Sequence, residues 1–247
     1  MTKTVVITGA SAGIGSALAR EFAARGYALG LTGRRLPALE TLQAELQTQG
    51  APRVEVATVD VDDRDAAPAQ LKALFETLGG VDTVVINAGI NDFTRVGAGD
   101  LAKEAAIINT NLLGAMVTAN AAVEHFLQRG GGHIVGISSL ASLQAIPRQA
   151  AYCASKAGLS MYLDALRTEH KDNNIRVTQI RPGFVKTEIM DDIEKYPFAV
   201  SAEKAAAEIA KAVQAEKRDV FVPAYPWNLM RPVFGRIPDR VWKRLAK

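Results

Sequence analysis

The amino-acid sequence predicts an α/β fold: a single domain on a doubly wound parallel sheet of about seven strands, with helices on both faces. Short β-branched, apolar runs alternate along the chain with segments of helical periodicity. The runs are apolar on both faces, which is typical of parallel strands covered by helices. A length of 247 residues and a hydrophobic content of 48% suit one large domain with a buried core.

The first segment, TVVITGASAGIGSALAREFAARG, changes its period in the middle. Residues 4–8 are β-branched and 14–24 place Ile14, Leu18 and Phe22 at helical spacing, so a strand leads into a helix through a glycine-rich turn. The same alternation continues along the chain. It predicts further strands at 27–33, 53–59, 82–89, 132–139, 175–183 and 219–223, and further helices at 36–49, 64–78, 101–129, 150–170 and from Ser201 onward.

Composition narrows the class of protein. Cys153 is the single cysteine, which excludes an intramolecular disulfide framework, and the N-terminus lacks a basic and apolar leader, so we expect a cytoplasmic protein. The three histidines are scattered and no spacing resembles a metal site, so we predict no metal. The net charge is only +3 and no nucleic-acid motif is present, so we expect no nucleic-acid partner.

The glycine-rich turn after the first strand predicts a nucleotide site. Gly9, Gly13 and Gly15 allow a tight turn and let backbone N–H groups at a helix N-terminus approach a pyrophosphate. In a doubly wound sheet, ligands bind beyond the carboxyl ends of the strands, which is where this turn lies. A plain structural turn is the alternative interpretation.

The residues after the second strand indicate which dinucleotide binds. An acidic residue there would bind a ribose 2′-hydroxyl, but the chain has Arg34 and Arg35 and no carboxylate before Glu40. Guanidinium groups make charge-assisted hydrogen bonds with phosphate, and a 2′-phosphate distinguishes NADP from NAD. We therefore predict NADP(H), with a solvated helix start as the alternative.

Tyr152 and Lys156 lie four residues apart in a predicted helix. This spacing places both side chains on one face, with Cβ atoms roughly 5–6 Å apart. At about 6 Å and an effective dielectric constant of about 20, Coulomb's law favours the phenolate by about 3 kcal/mol, which predicts a phenol pKa about two units below its ordinary value. The pair alone is weak evidence, because a surface helix can carry both residues by chance.

Several motifs occur together in one order along the chain. They are TGASAGIG at 8–15, NAG at 87–89, NLLG at 111–114, Ser139 in ISS, YCASK at 152–156 and RPGFVKTE at 181–188. Over essentially the whole chain, this set resembles the short-chain dehydrogenase/reductase family. One departure is minor: Ile86 precedes NAG where many members have another asparagine.

The resemblance implies a Rossmann-type fold and hydride transfer between a nicotinamide cofactor and a carbonyl or alcohol. Tyr152 would be the general acid and base, Lys156 would lower its pKa and hold the nicotinamide ribose, Ser139 would hydrogen-bond the substrate oxygen, and Asn111 would orient a water that relays protons. The implied cofactor-binding set is Gly9, Ser11, Gly13, Ile14, Gly15, Arg34, Arg35, Asp60, Val61, Asn87, Ala88, Gly89, Tyr152, Lys156, Pro182, Gly183, Val185 and Thr187.

Some members of this set have plainer alternative roles. Asn111 could be a helix N-cap, Asp60 could cap the following helix and Val61 could be core. The segment 188–200 is the predicted lid. Phe93, Leu140, Ile146, Met190 and Phe198 could line an apolar substrate pocket, although these residue types are equally ordinary in a core.

The leading functional hypothesis is an NADP-dependent carbonyl reductase or alcohol dehydrogenase acting on a moderately apolar small molecule. A reductase of 3-oxoacyl groups on an acidic carrier protein is the alternative enzyme. From another class, the chain could be a regulatory module that senses NADP without turnover, but a sensor needs no proton donor such as Tyr152. Serine hydrolase chemistry is disfavoured because the sequence has no Gly-x-Ser-x-Gly elbow.

Two further features concern partners. Segments 101–129 and 150–166 are so apolar that both should be covered on most sides, which predicts a homodimer or homotetramer.

We divide the chain into a Rossmann-type domain at 1–225 and a basic amphipathic tail at 226–247, with a helix predicted from Pro238. The tail suits peripheral contact with an anionic membrane, or packing on a partner subunit or over the substrate pocket.

Overall fold

The computed structural model of the chain describes residues 2–187 and 198–236. Its strands are β1 Thr4–Thr8, β2 Ala28–Gly33, β3 Val54–Thr58, β4 Thr83–Ile86, β5 Gly132–Ile137, β6 Ile175–Pro182, β7 Val185–Lys186, β8 Val200–Ser201 and β9 Asp219–Val222. Seven of them form one parallel sheet in the order β3-β2-β1-β4-β5-β6-β9. This confirms the predicted doubly wound α/β fold.

The strand order reverses between β1 and β4. From β1 the chain builds outward through β2 and β3, and it then returns to β4 on the other side of β1. A crevice forms at the carboxyl ends of the strands at such a switch point, because the connections leave in opposite directions. The glycine-rich turn after β1 and the NAG motif after β4 therefore meet in this crevice.

Helices cover both faces of the sheet. They are α1 Gly13–Ala24, α2 Leu36–Thr48, α3 Ala67–Thr77, α4 Leu101–Ile108, α5 Gly114–Arg129, α6 Ala150–Glu169, α7 Ala202–Gln214 and α8 Ala224–Met230. The alternation of side chains along β1 shows how the two layers form. Val5 and Ile7 pack with Phe22 of α1 on one face, whereas Val6 packs with Phe75 of α3 and Phe126 of α5 on the other.

The single helix predicted over 101–129 is instead three consecutive helical segments. A π-helical turn, Asn109–Leu113, separates α4 from α5. Helical periodicity in the sequence does not distinguish this turn from α-helix, because the apolar stripe continues through it. The π turn lies at a predicted site residue, Asn111, and such turns occur frequently at functional sites.

Two short strands were absent from the predicted set. β7 and β8 pair in parallel, with Val185 opposite Val200, and Val200 N–H donates to the Phe184 carbonyl at 3.1 Å. They bring together the described residues that flank positions 188–197 in the chain. That segment, which holds most of the predicted lid and Met190, lies outside the described residues.

The described part of the C-terminal tail packs on the body of the protein. Trp227 of α8 is 5% exposed and forms a small core cluster with Leu140 and Phe221, against which Met230 and Phe234 also pack. Residues 226–236 therefore cover the end of β9 and the turn that follows β5. The helix predicted from Pro238 lies outside the described residues.

Candidate active site

The glycine-rich turn between β1 and α1 is shaped by close backbone contacts. Gly9 and Gly13 have left-handed φ angles of 65° and 56°. A Cβ atom on Gly9 would lie 2.8 Å from the Ala88 Cα, and one on Gly15 would lie 2.3 Å from the Gly9 carbonyl oxygen. These positions have no room for a larger residue, so the turn and the NAG motif are held in direct contact.

The first turn of α1 is open to an anion. Helix α1 begins at Gly13 after Ala12, without a side-chain cap and without an acidic residue in its first turn. Its first N–H groups and the positive end of the helix dipole face the crevice, where they favour a phosphate. Ile14 lies partly buried against the core beside this turn, so it holds the helix start on the sheet.

Thr8 and Asn87 join the ends of β1 and β4. The Thr8 hydroxyl oxygen accepts hydrogen bonds from the N–H groups of Asn87 at 3.0 Å and Ala88 at 3.1 Å. The Asn87 side-chain amide donates to the Thr8 and Gly9 carbonyls at 2.9 and 3.2 Å. Thr8 begins the TGASAGIG motif, but this linking role could not be predicted, because a threonine at the end of a β-branched run is indistinguishable from an ordinary strand residue.

Two arginines lie beyond the carboxyl end of β2. Both Arg34 and Arg35 are exposed, and Arg35 Nε donates to Ser11 Oγ at 3.2 Å. Ser11 belongs to the glycine-rich turn, so this bond ties Arg35 to the predicted pyrophosphate site. Arg34 precedes it in the chain at the same strand end.

Asp60 and Val61 follow β3. Asp60 Oδ1 accepts a hydrogen bond from the Asp62 N–H at 3.2 Å, which orders the loop before α3. Val61 is 5% exposed and lies so close to Gly114 that a Cβ there would approach the Val61 side chain to 2.6 Å. The Asp60 side chain thus does not cap the first turn of α3, which was one alternative for it. Val61 lies in the hydrophobic core, which was the alternative for that residue.

Ser139, Tyr152 and Lys156 come together beyond the end of β5. The Ser139 hydroxyl oxygen accepts the Ala141 N–H at 3.1 Å, and the side chain lies near enough to the Tyr152 phenol to affect its pKa. Lys156 is 5% exposed, donates from Nζ to the Ile137 carbonyl at 3.0 Å, and has its Nζ 5.8 Å from the centroid of the Tyr152 ring. Ile137 is the last residue of β5 and precedes Ser139 by two residues. The bond from Lys156 therefore positions α6 so that its Tyr152 and Lys156 side chains lie beside Ser139.

Burial shifts the pKa values of both titratable groups. Burial raises the Tyr152 pKa above its ordinary value, and the Ser139 hydrogen bond opposes that rise. Burial lowers the Lys156 pKa to about 8. The lowered phenol pKa expected from the four-residue spacing is not found in this structure, because desolvation of the buried side chain disfavours the phenolate.

Asn111 lies in the π-helical turn and is fully buried. Its side-chain amide donates to the Ile90 carbonyl at 2.8 Å and to Ser155 Oγ at 3.2 Å, while its Oδ1 accepts the Ile90 N–H at 2.7 Å. The Ser155 hydroxyl donates in turn to the Tyr152 carbonyl at 2.7 Å. Asn111 therefore is not a helix N-cap, and it links the loop after β4 to the helix that carries Tyr152.

Gly89, the last residue of the NAG motif, lies beside the side chains of Asn111 and Lys156. A Cβ on Gly89 would be 3.1 Å from Asn111 Oδ1 and 3.6 Å from Lys156 Nζ. The end of the NAG motif therefore runs directly alongside the polar atoms of both side chains. The structure thus brings together Asn111, Lys156 and the loop after β4.

The segment after β6 closes the other side of the crevice. Pro182 ends β6, the Gly183 N–H donates to the Val222 carbonyl at 2.8 Å, and Val185 of β7 is 4% exposed. A Cβ on Gly13 would lie 3.3 Å from the Thr187 side chain, so Thr187 faces the start of α1. The glycine-rich turn, the NAG motif and Thr187 therefore border one crevice at the carboxyl edge of the sheet, whereas Val61 lies in the core.

The predicted apolar pocket residues separate into different environments. Phe93 lines a cavity of about 560 Å³ together with Thr94, Arg95, Asp100, Pro147 and Arg148. Leu140 is instead buried in the cluster around Trp227, and Phe198 is 52% exposed with its ring 6.0 Å from that of Trp227. The Ile146 N–H contacts the Cys153 sulfur at 3.4 Å, beside the helix that carries Tyr152.

Similar proteins are found by sequence. The family model described as short chain dehydrogenase matches residues 3–197. An uncharacterized oxidoreductase of Mycobacterium tuberculosis is 37% identical over 245 residues, which cover 98% of this chain and 96% of that protein. An uncharacterized oxidoreductase of Myxococcus xanthus is 37% identical over 231 residues, which cover 93% of this chain and 90% of that protein.

Similar proteins are also found by structure. An alcohol dehydrogenase from the archaeon Thermococcus sibiricus, solved with 5-hydroxy-NADP, has a TM-score of 0.82 and 28% identity, and the match covers 90% of this chain and 96% of that chain. A short-chain type dehydrogenase/reductase from Mycobacterium marinum has a TM-score of 0.82 and 27% identity, with 89% and 93% covered. The resemblance therefore extends over the sheet and the crevice together.

The contact between the glycine-rich turn and the NAG motif can be tested with paired substitutions. Gly9 and Gly26 both have left-handed φ angles, but a Cβ on Gly26 would meet no atom within 4 Å. We expect Gly26→Ala to lose about 1–2 kcal/mol of unfolding free energy from backbone strain, and Gly9→Ala to lose more because its Cβ also clashes with Ala88. Gly9→Ala alone should weaken dinucleotide binding, because its Cβ displaces Ala88.

Urea unfolding and a fluorescence titration with NADPH measure the two effects. Equal NADPH dissociation constants for the two variants would contradict the close contact as a determinant of binding.

Proposed function

Because the chain belongs to the short chain dehydrogenase family and is an oxidoreductase of that family, we propose that it interconverts a ketone or aldehyde with an alcohol, using NADP(H). One observation carries the proposal: Ser139, Tyr152 and Lys156 meet at the carboxyl edge of the sheet, beside the crevice formed by the glycine-rich turn and the NAG motif. This is where a doubly wound fold binds its ligands.

The residues around the crevice fit a dinucleotide. The uncapped first turn of α1 and the tight backbone at Gly9 and Gly15 suit a pyrophosphate, which needs N–H donors and close approach of the main chain. Lys156 and the NAG backbone would hold the nicotinamide ribose end, with Thr187 and Val185 on the opposite wall. When bound, the nicotinamide supplies or accepts a hydride.

NADP rather than NAD is proposed from the charge beside the turn. Arg34 and Arg35 lie after β2, where the adenosine ribose is expected, and Arg35 is bonded to Ser11. Two guanidinium groups suit a 2′-phosphate because they offer several charge-assisted donors. The Thermococcus sibiricus protein, whose structure contains 5-hydroxy-NADP, shares the fold across 90% of this chain and supports the same choice.

Tyr152 is the proposed proton donor for carbonyl reduction. A carbonyl that receives a hydride needs a proton on its oxygen, and the raised pKa of Tyr152 keeps the phenol protonated at neutral pH. In the direction of oxidation, the phenol would first release its proton toward solvent, and the same oxygen would then take the proton of the alcohol. The Ser139 hydroxyl, whose oxygen accepts the Ala141 N–H, would donate its one proton to the substrate oxygen and so hold that oxygen beside Tyr152.

Lys156 and Asn111 support the proton transfer. Because the Lys156 pKa is about 8, the amine is largely protonated at neutral pH and its charge favours a developing phenolate. Asn111 holds the loop after β4 against α6 through Ile90 and Ser155. It would orient a water that connects Lys156 to solvent and restores the proton.

A second copy of the chain is the proposed partner. On α5 and the preceding turn, Leu113 and Met116 are half-buried, and on α6 Met161 is 72% exposed. The stretch Leu101–Arg129 is long and apolar enough to cross a membrane by composition alone, but half of its most apolar window is buried and a core helix passes the same test. An apolar α5–α6 face of this kind suits a twofold interface.

The Tyr152→Phe variant tests the proposed proton donor. We expect turnover of a verified ketone or alcohol to fall on the order of 10²-fold or more, with NADPH binding nearly unchanged, since only the phenolic proton is lost. Tyr162→Phe is the matched control, because Tyr162 lies on the same helix and its hydroxyl bonds only Asn120 among the described residues. Near-normal turnover by Tyr152→Phe would refute the mechanism. Ketones, aldehydes, alcohols and oxoacyl thioesters are the substrates to screen.

The basic pair can be tested by replacing both Arg34 and Arg35 with alanine. Each charged hydrogen bond is worth about 1.5–3 kcal/mol, so NADPH should bind at least about tenfold more weakly. NADH binding should change little. Arg53→Ala, which removes an exposed arginine paired with Glu55, is the control. A titration in which the double variant loses NADPH and NADH equally would refute the assignment.

Oligomeric state tests the α5–α6 face. We expect light scattering to give the mass of a dimer or tetramer, and Met161→Glu to lower it because a carboxylate would be buried in the interface. Val96 is 74% exposed in the loop before α4, so Val96→Glu is the control and should leave the mass unchanged. A monomer at micromolar concentration would contradict the proposal.

A further inference from the structure

Arg181, near the end of β6, is buried although the proposed reaction gives it no role. Arg181 is 6% exposed, and its Nε atom donates to Asp219 Oδ1 at 2.9 Å. Asp219 begins the neighbouring strand β9, and its other carboxylate oxygen lies 3.4 Å from Arg231. The guanidinium is therefore anchored to the edge strand of the sheet through Nε, and its Nη1 atom donates to other groups.

One hydrogen-bond chain runs from Arg181 to the backbone of Ser139. Nη1 donates to the hydroxyl oxygen of Ser142, in the 3₁₀ turn after β5. The Ser142 hydroxyl donates in turn to the Ser139 carbonyl at 2.6 Å. The turn that presents the Ser139 side chain is thus tied to a fixed charge on the sheet.

A second chain runs from Arg181 to the backbone of Lys156. Nη1 also donates to Ser160 Oγ at 2.9 Å, and Ser160 Oγ lies 2.8 Å from Ser138 Oγ. The Ser138 hydroxyl donates to the Lys156 carbonyl at 3.1 Å. Because Ser138 donates its one hydroxyl proton to that carbonyl, Ser160 is the donor in the bond between the two hydroxyls.

The direction of both chains follows from arginine chemistry. A guanidinium has only donors and keeps its proton at all relevant pH values, so every hydroxyl downstream must accept from the Arg181 side and donate onward. Aligned hydrogen bonds polarise one another in a buried environment and resist rotation of the individual hydroxyls. Arg181 thereby determines the orientation of three serine hydroxyls at the site.

We propose that Arg181 is a positioning residue: it starts two hydrogen-bond chains that end on the backbone carbonyls of Ser139 and Lys156, and so fixes the distance between the Ser139 turn and helix α6. The inference rests on the proposed function, since it assigns Ser139 and Lys156 to catalysis. Small displacements of catalytic groups reduce turnover strongly, because proton transfer requires hydrogen-bond geometry.

Arg181→Met and Arg176→Met form the matched test. Arg176 lies on the same strand, but its ion pair with Glu216 is exposed. We expect Arg181→Met to lower kcat about 10- to 100-fold with the KM for NADPH changed much less. Arg176→Met should have a kcat close to that of the unaltered protein. Arg181→Lys should have a higher kcat than Arg181→Met, because it keeps a charged donor.

Hydrogen exchange provides a readout that needs neither substrate nor cofactor. In the full chain, Arg181→Met should speed amide exchange in peptides covering 138–143 and 152–160, whereas Arg176→Met should not. Unchanged exchange in these peptides overturns the inference whether or not the protein reduces carbonyls. Loss of activity in Tyr152→Phe together with normal kcat in Arg181→Met would uphold the proposed function and refute the role of Arg181.

A second variant covers failure of Arg181→Met to fold. The double substitution Ser142→Ala and Ser160→Ala keeps the Arg181–Asp219 ion pair and cuts both chains at their first link. It should reproduce the fall in kcat and the faster exchange. Normal kcat in a folded double variant would overturn the proposal.

Discussion

The hydrogen bond between the Lys156 amine and the Ile137 carbonyl is the contact on which the geometry of the site depends. It buries an amine at the end of β5, where burial lowers the lysine pKa to about 8. Since Ile137 precedes Ser139 by two residues and Tyr152 lies one turn before Lys156, this one bond brings a strand end and a helix into register. The phenol and the serine hydroxyl, which are the groups proposed to act on the substrate oxygen, thereby lie on the same side of the site, with the amine beside the phenol.

Hydroxyl groups reinforce that register at each residue of the proposed catalytic set. Ser155 donates to the Tyr152 carbonyl, Ser138 to the Lys156 carbonyl and Ser142 to the Ser139 carbonyl. Asn111 lies behind the first of these bonds, in a π-helical turn that places its amide between Ile90 and Ser155. Each of these three bonds ends on a main-chain carbonyl, so none of them occupies the phenol of Tyr152 or the hydroxyl of Ser139. A parallel sheet makes this possible because its carboxyl ends share one edge.

The sequence was sufficient to predict the sheet, the crevice and the family, because each has a local signature. Alternating periodicity predicts strands such as Thr4–Thr8, and glycine spacing predicts the turn at Gly9. The π turn at Asn109–Leu113 could not be predicted, because the apolar stripe of α4 and α5 passes through it unchanged. Two-residue strands such as Val185–Lys186 carry no measurable period. The Tyr152 pKa was expected to fall and instead rises, since desolvation depends on tertiary burial that a four-residue spacing does not contain.

The central claim is that the crevice aligns a nicotinamide cofactor and a carbonyl for direct hydride transfer beside Tyr152. Transfer of deuterium from NADPH that carries deuterium at both C4 positions of the nicotinamide tests it most directly, with the alcohol product analysed by mass spectrometry and NMR. The account predicts that the former carbonyl carbon gains one deuterium for each cofactor oxidised, always on the same face. Cofactor oxidation that leaves the product unlabelled, or label distributed equally between both faces, would contradict it.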